Sequence, residues 1–226
     1  GDYIKLVGGD DLMAPFCSDL LLKTIIKKKS VAAFSSYKLL ETFNNVSFKR
    51  QKIQNFRVLE KPLLQTIKSS YSGTTPNLYC NNSIRKSGGC NKRIFVEDFS
   101  LVLGLSKIGS FSFINNITSV GPKNDKTRIM LGKKTQLLHD YNAALYYFIK
   151  KHSEIENHIV KTACKKSLGR SFNWYRREVR KSRFNKMFLY KVFLLFGRCD
   201  YLNLLKESCI FFYKNTTKDS IRYKIT

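Results

Sequence analysis

The chain has 226 residues, 43% of them apolar, and it carries 41 lysines and arginines against 16 aspartates and glutamates. This apolar content can build a sizeable core, which excludes a disordered polypeptide, and six cysteines without C-x-x-C spacing argue against a zinc ribbon or a dithiol redox motif. The formal net charge of +25 favours an anionic partner and leaves nucleic acid, a lipid surface and phosphorylated substrates open.

The first half of the chain alternates predicted strands and helices. Residues 3–7 predict a strand that ends in the turn Gly8-Gly9-Asp10-Asp11, and Pro15 suits the first turn of the helix that follows. Further predicted elements are a strand at 31–37, a helix at 61–69, a helix from Glu97 to Ile108 and a strand at 110–117.

The second half of the chain shows helical periodicity only. The predicted helices are 133–152, 154–168, 171–196 with a break, and 200–214. Strands that alternate with helices, followed by helices alone, predict an α/β domain over residues 1–122 and a basic helical extension over residues 123–226. The longest apolar stretch, Met187 to Phe196, is much shorter than the roughly 20 residues of a membrane-spanning helix, so membrane contact is expected only at the surface.

Two acidic pairs stand at strand-to-helix junctions of this basic chain. Asp10 and Asp11 follow a strand and two glycines, where carboxylate oxygens can meet Mg²⁺ or Mn²⁺ and a phosphate can approach the backbone. Glu97 and Asp98 open a helix after the turn at Gly88-Gly89. The alternative for each pair is structural, because an acid can cap a helix or be favoured by its dipole. The occurrence of both pairs together points to a site.

These segments resemble a known family. "YIKLVGGDDLMAP" resembles the strand and D-x-D segment of glycosyltransferase family 2, and "RKSGGCNKRIFVEDFSLVLGLSKIG" resembles that family's Gly-Gly turn, acidic pair and helix. The match covers residues 1 to 120, with weaker support from "QLLHDYNAALYYF". The resemblance implies a Rossmann-like GT-A fold with a mixed sheet, a nucleotide-diphosphate sugar donor, Mn²⁺ or Mg²⁺ as cofactor, and sugar transfer with inversion.

The resemblance also implies roles for the acids. Asp10 matches the family's metal-binding acid, with Asp11 beside it, and Gly9 would lie against the donor diphosphate. Asp98 matches the general base that takes the proton from the acceptor hydroxyl, and Glu97 would orient Asp98 or touch the acceptor.

The chain departs from the family pattern at two points. Gly8 stands where the family usually carries another Asp, so a contact to the nucleotide or to metal-bound water is expected to be absent. The family's opening strand and helix, which grip the base and ribose, would lie before Gly1. The resemblance therefore implies an N-terminally incomplete domain that lacks about 100 residues.

Other residues are candidates for parts of the same site. His139 is a candidate metal ligand, with helical packing as the alternative. Arg128 is a candidate for a loop that closes over the donor diphosphate, with a solvated loop as the alternative. Gly88, Gly89 and Thr74 are expected to shape an acceptor pocket, although turn chemistry alone also explains the segment that holds Thr74.

Residues 161–191 form a basic stretch with aromatic residues between the charges. They hold eleven lysines or arginines and a single acid, Glu178. Such a stretch suits an anionic membrane surface, while RNA or DNA and an ordinary solvated helix face are the alternatives. The residues expected at the membrane surface are Trp174, Arg176, Arg177 and Arg180.

The leading hypothesis is a metal-dependent, inverting glycosyltransferase that acts on a glycan or lipid-linked acceptor in surface polysaccharide or lipopolysaccharide synthesis. We expect it in the cytoplasm, bound peripherally at the inner face of the plasma membrane. One alternative is an inactive glycosyltransferase remnant or partner, motivated by Gly8 and by the expected missing start. The other, less favoured, is a nucleic-acid-binding module, motivated by residues 161–191.

Overall fold

The structure is a computed structural model that describes residues 1–44, 46–49, 56–71, 76–123, 132–179, 184–197, 199–216 and 221–225. The chain divides into two compact units. The first unit comprises Gly1–Thr66, Tyr71–Gly89 and Leu101–Arg128, and the second comprises Ile67–Ser70, Cys90–Ser100 and Ile129–Thr226. Two short segments from the first half of the chain thus belong with the C-terminal helices, while the boundary predicted after residue 122 stays a prediction.

One mixed sheet forms the centre of the first unit. Its strands are β1 (Tyr3–Ile4), β2 (Leu12–Met13), β3 (Ala32–Leu40), β4 (Phe56–Leu59), β5 (Asn77–Cys80) and β6 (Phe111–Pro122). The order is β1-β5-β3-β6-β2, and β4 also pairs with β6. The long strands β3 and β6 run parallel to each other, and the other pairs are antiparallel. Each long strand thus has neighbours on both sides.

Helices pack on both faces of this sheet. Successive strand residues point to opposite faces, so each strand contributes side chains to both. The helices of the first half of the chain are α1 (Cys17–Lys28), α2 (Leu63–Ser69), α3 (Asn81–Ser87) and α4 (Glu97–Ile108). One buried cluster joins α1 to the sheet through Leu20, Leu21, Ile25, Ala33, Leu78 and Ile114. A second cluster joins α4 to the sheet through Leu101, Val102, Leu105, Ala32, Phe34 and Phe111. Ala33 therefore faces α1, whereas its neighbours Ala32 and Phe34 face α4.

The second unit is mainly helical. Its longer helices are α5 (Lys134–Lys151), α6 (Asn157–Glu178), α7 (Lys186–Phe196) and α8 (Tyr201–Asn215). α5, α6 and α8 pack against one another, and α7 packs against α6. A buried amide ties the first three together, because Asn142 Nδ2 donates to the Ser167 carbonyl and to the hydroxyls of Ser171 and Ser208 at 3.0–3.2 Å. The small serines leave room for this approach.

The predicted α/β fold class is confirmed, since a mixed sheet flanked by helices is followed in the chain by helices alone. α4 begins at Glu97 and ends at Ile108, as predicted. The predicted break between residues 168 and 171 is wrong, because α6 continues through it. Over the described part of the chain, no helix has both the length and the apolar character needed to cross a membrane.

Candidate active site

The turn that carries Asp10 and Asp11 connects β1 to β2 in the first unit. The backbone N–H of Asp11 donates to the Gly8 carbonyl at 3.3 Å. A Cβ placed on Gly8 would lie 2.8 Å from Asp11 Oδ2 and 3.1 Å from Asp10 Oδ1. Both carboxylates therefore converge on the space that any other side chain at position 8 would occupy. A side chain at position 8 would therefore have to displace one or both of these carboxylates.

Asp11 is fixed to the central strands of the sheet. The Tyr37 hydroxyl, on β3, donates to Asp11 Oδ1 at 3.1 Å. Gly121, on the neighbouring strand β6, lies against both groups, because a Cβ there would be 2.5 Å from Asp11 Oδ1 and would overlap the Tyr37 hydroxyl. Asp11 is half-buried and Asp10 is exposed. We infer that Asp11 positions the turn and that Asp10 is the more accessible carboxylate.

Gly121→Ala is expected to lower the free energy of unfolding by about 1–3 kcal/mol, because the added methyl group must displace the Tyr37 hydroxyl from a packed position. Urea denaturation followed by circular dichroism measures the change. Gly9→Ala is the matched control, since a Cβ at Gly9 would meet no atom within 4 Å. Its expected effect is within about 0.5 kcal/mol. Equal effects of the two substitutions would contradict the packing described for Gly121.

Glu97 and Asp98 form the first turn of α4, in the segment that belongs to the second unit. The backbone N–H of Phe99 donates to Asp98 Oδ1 at 2.7 Å. This bond satisfies one of the amide groups that a helix start leaves unpaired, and the helix dipole favours both acids. Glu97 is exposed and Asp98 is half-buried. The helix start therefore holds Asp98 in one orientation.

A buried carboxylate, Asp140 on α5, holds the chain just before this turn. The backbone N–H of Phe95 donates to Asp140 Oδ2 at 2.7 Å. Gln136 Nε2 donates to Asp140 Oδ1 at 2.8 Å, and His139 Nδ1 lies 2.7 Å from the same oxygen. A buried carboxylate needs such partners, so Asp140 and the residue-95 backbone fix each other. Asp140 was not among the predicted site residues, although the polar pair His139-Asp140 inside an apolar helical pattern was its signal.

The charges of Glu97 and Asp98 affect the ionisation of the Cys90 thiol. Partial burial first, and then the charges of Glu97 and Asp98, raise the pKa of the Cys90 thiol above its ordinary value. Nearby negative charge disfavours the thiolate, which is also the reactive form. Cys90 is one of six free thiols in the chain. Its alkylation rate is therefore a local probe of the charge on Glu97 and Asp98.

Asp10 and Asp11 are the residues that would have to hold a divalent metal ion. Within the ranges that the structure describes, no three or more His, Cys, Asp and Glu side chains come together as a complete metal site. Mg²⁺ at nucleotide sites is commonly held by only one or two carboxylates, with substrate phosphates and water as the other ligands. The two carboxylates that converge over Gly8 fit that requirement. These residues therefore suit a cation that arrives with a diphosphate.

Two predicted residues are buried in the second unit. His139 is fully buried and pairs with Asp140, which favours the packing alternative over a metal ligand. Trp174 is 2% exposed, and its indole N–H donates to Thr135 Oγ1 at 3.0 Å. The prediction that Trp174 faces a membrane surface is wrong, because its ring packs 4.7 Å from that of Phe212.

The remaining predicted site residues lie at the end of α6, in the turn after α3 or outside the described residues. Arg176 and Arg177 are exposed near the end of α6. Gly88 and Gly89 have positive φ angles of 88° and 70°, and Gly88 caps the C-terminus of α3, so the turn needs glycine whether or not it shapes an acceptor pocket. Thr74, Arg128 and Arg180 lie outside the described residues.

Comparison with known proteins bears on the fold. No protein-family model matches the chain, and no curated protein does. Among solved structures, 39 chains match, including the crystal structure of S. aureus TarS 1-349 in complex with UDP-GlcNAc. The match to TarS has a TM-score of 0.54 and 12% sequence identity, and it covers 94% of this chain and 63% of that one. The likeness shows that this chain has an α/β fold like that of TarS.

Proposed function

We propose that this protein transfers a sugar from a nucleotide-diphosphate sugar to an acceptor hydroxyl, with inversion at the anomeric carbon. Two observations support the proposal. The fold is like that of TarS, whose structure contains UDP-GlcNAc. The turn after β1 brings the carboxylates of Asp10 and Asp11 together over Gly8, at the place where the family resemblance expects a metal-binding acid. The convergence of these two carboxylates is the observation that carries the proposal.

Asp10 and Asp11 have different tasks in this account. Asp11, held by the Tyr37 hydroxyl, keeps the turn in place, and the exposed Asp10 would hold Mn²⁺ or Mg²⁺. A bound divalent cation would neutralise negative charge on the leaving diphosphate. Gly9 is exposed, and a side chain is absent there, so the backbone can approach a phosphate closely.

Asp98 is proposed to act as the general base. The acceptor oxygen forms a bond to the anomeric carbon while the bond from that carbon to the diphosphate oxygen breaks, and the nucleoside diphosphate leaves with the bonding electrons. The acceptor proton passes to the Asp98 carboxylate, whose Oδ1 is oriented by the Phe99 N–H. Glu97, next to Asp98 and exposed, would contact the acceptor or orient Asp98.

The acceptor is proposed to be a glycan or a lipid-linked sugar. The family resemblance supports this class, and the predicted acceptor-pocket glycines, Gly88 and Gly89, are accessible to solvent. Peripheral attachment at the inner face of the plasma membrane is also proposed. The family resemblance supports it, together with the exposed Arg176 and Arg177.

The test is release of UDP from UDP-GlcNAc by the full-length protein, with Mn²⁺ or Mg²⁺ and with EDTA as the metal-free condition. We expect turnover that needs the metal and stops on chelation, because the diphosphate leaving group depends on the cation. UDP-glucose, GDP-mannose and dTDP-rhamnose extend the assay to other donors. Absence of metal-dependent turnover with every donor would contradict the proposal and favour the inactive-remnant alternative.

A further inference from the structure

Helix α7 exposes apolar side chains on the side that does not pack against the second unit. Met187 and Leu194 are buried, so the opposite side of the helix faces outward. The exposed apolar side chains there are Leu189 at 54%, Phe193 at 55%, Leu195 at 70% and Phe196 at 78% of full exposure. Exposed apolar residues scattered singly are normal in proteins, but a contiguous group marks a surface for binding. We call these four residues the α7 apolar surface.

Three of these four residues share one face of the helix, and Leu195 lies on the adjoining side. Leu189, Phe193 and Phe196 follow each other by four and three residues, so they lie on one face of the helix. An apolar cavity of about 390 Å³ lies beside them, and Leu195 forms part of its wall. Its other lining residues are Lys165, Phe188, Lys191, Val192 and Leu194. The surface and the cavity together form an apolar patch with two lysines at its border.

The stretch of sequence that leads into this patch is rich in basic residues, and two lysines, Lys165 and Lys191, line its cavity. Residues 161–191 hold eleven lysines or arginines and one acid. That acid, Glu178, is already paired with Lys134 at 2.6 Å, and Lys186 is paired with Glu207 of α8 at 2.5 Å. The ammonium group of Lys191 lies 4.6 Å above the Phe172 ring, beside the cavity. The patch is therefore mainly apolar, with Lys165 and Lys191 at the cavity beside it.

We propose that the α7 apolar surface docks on an anionic lipid bilayer. Apolar rings and aliphatic side chains would enter the boundary between headgroups and acyl chains, and the two lysines at the cavity would meet the anionic headgroups. α7 has 11 residues and is thus about 16 Å long, too short to cross a hydrocarbon core of about 30 Å. The helix would therefore lie along the surface. This proposal does not depend on sugar transfer.

Two other occupants fit the observations less well. A nucleic acid would use the cations and could stack bases on Phe193 and Phe196, but it has no use for the aliphatic Leu189 and Leu195. A second copy of the chain would bring two surfaces of the same positive sign together, and like charges oppose such a contact. A lipid surface uses the aliphatic, aromatic and cationic groups at once.

Co-sedimentation with lipid vesicles tests the proposal on the full chain. The vesicles contain either phosphatidylcholine alone or equal parts of phosphatidylcholine and phosphatidylglycerol, and no sugar substrate is present. We expect binding to the anionic vesicles, weaker binding to the neutral ones and partial release by added salt. Because the assay needs no donor, its outcome is separate from that of the transferase assay.

Substitutions on α7 separate apolar insertion from charge. The double substitution Phe193→Ser with Phe196→Ser is expected to lower the vesicle partition coefficient about tenfold for each ring removed. Lys191→Gln is expected to lower it about fivefold, and only on anionic vesicles. Ile26→Ser is the matched control, because Ile26 is 56% exposed beside lysines in the other unit but does not belong to the patch. It is expected to bind like the unchanged protein.

A tryptophan introduced at the patch reports its depth. The native Trp174 is buried, so brominated lipids should leave its fluorescence unchanged, whereas Phe196→Trp should add a signal that these lipids quench. Absence of vesicle binding, or binding that the α7 substitutions leave unchanged, would overturn the proposal. So would preferential binding of RNA that displaces vesicles, or a dimer that the Phe193 and Phe196 substitutions convert to a monomer.

Discussion

Asp98→Asn is expected to lower the rate of sugar transfer about 10³-fold while the fold is preserved. The amide cannot take the acceptor proton, but its Oδ1 can still accept the hydrogen bond that the Phe99 N–H donates to Asp98 at 2.7 Å. The favourable interaction of the charge with the helix dipole is lost, so the free energy of unfolding should fall by about 1 kcal/mol. Initial rates of UDP release and urea denaturation measure the two effects.

Cys90 supplies an internal control for this substitution. Burial and then the charges of Glu97 and Asp98 raise the pKa of its thiol, so removal of one charge should lower that pKa and speed alkylation at a fixed mildly alkaline pH. A faster reaction in Asp98→Asn shows that the local structure persists although transfer is lost. Glu156→Gln, an exposed acid paired with His158, is the charge-matched control for activity. Full transfer activity in Asp98→Asn would refute its role as base.

Asp10→Asn is expected to lower transfer about 10²-fold or more and to raise the Mn²⁺ concentration needed for half-maximal activity. The reason is that a neutral amide binds a hard divalent cation much more weakly than a carboxylate does. Because Asp10 is exposed and Asp11 accepts the hydrogen bond from the Tyr37 hydroxyl, the turn should keep its structure. Titration of the rate with Mn²⁺ measures both effects.

Asp19→Asn is the matched control for Asp10→Asn. Asp19 lies in the same unit, and its carboxylate forms an exposed ion pair with Lys23 at 3.0 Å. Exposed pairs of this kind contribute little to stability, so activity and Mn²⁺ dependence should be unchanged. If Asp10→Asn and Asp19→Asn behave alike, the proposal that Asp10 holds the metal is wrong.

Local patterns in the sequence predict elements well where the signal lies within one segment. α4 begins and ends as predicted because its acidic first turn and the glycine after Ile108 are both local signals. β5 and α3 were not predicted, since Asn77–Ser87 is rich in turn-forming residues and β5 is stabilised by pairing with the distant strands β1 and β3. The false break in α6 has a similar cause, because packing keeps the helix continuous through Gly169.

At the candidate site, too, the features that depend on neighbouring residues were predicted and those that depend on distant residues were not. The sequence alone indicates the acidic turn at Asp10, but it does not show that Tyr37 and Gly121 lie against Asp11. Those contacts depend on the parallel pairing of β3 with β6, which brings together residues far apart in the chain.

In the basic stretch, amino-acid composition does not determine which side of a helix is exposed. Trp174 was expected at the surface because cations surround it in the sequence, yet its ring packs against Phe211 and Phe212. The exposed apolar residues lie instead on α7, at Leu189, Phe193 and Phe196. Composition indicates that a region is basic and aromatic, whereas packing decides which rings remain exposed.

The most direct test of the account is to locate Mn²⁺ in crystals of the protein soaked with Mn²⁺ and UDP, by anomalous diffraction at the manganese edge. We expect a manganese peak at bonding distance from the Asp10 carboxylate, with the UDP diphosphate on the same ion. UDP bound elsewhere, with no manganese at Asp10, would contradict the claim that these acids hold a cation against a diphosphate.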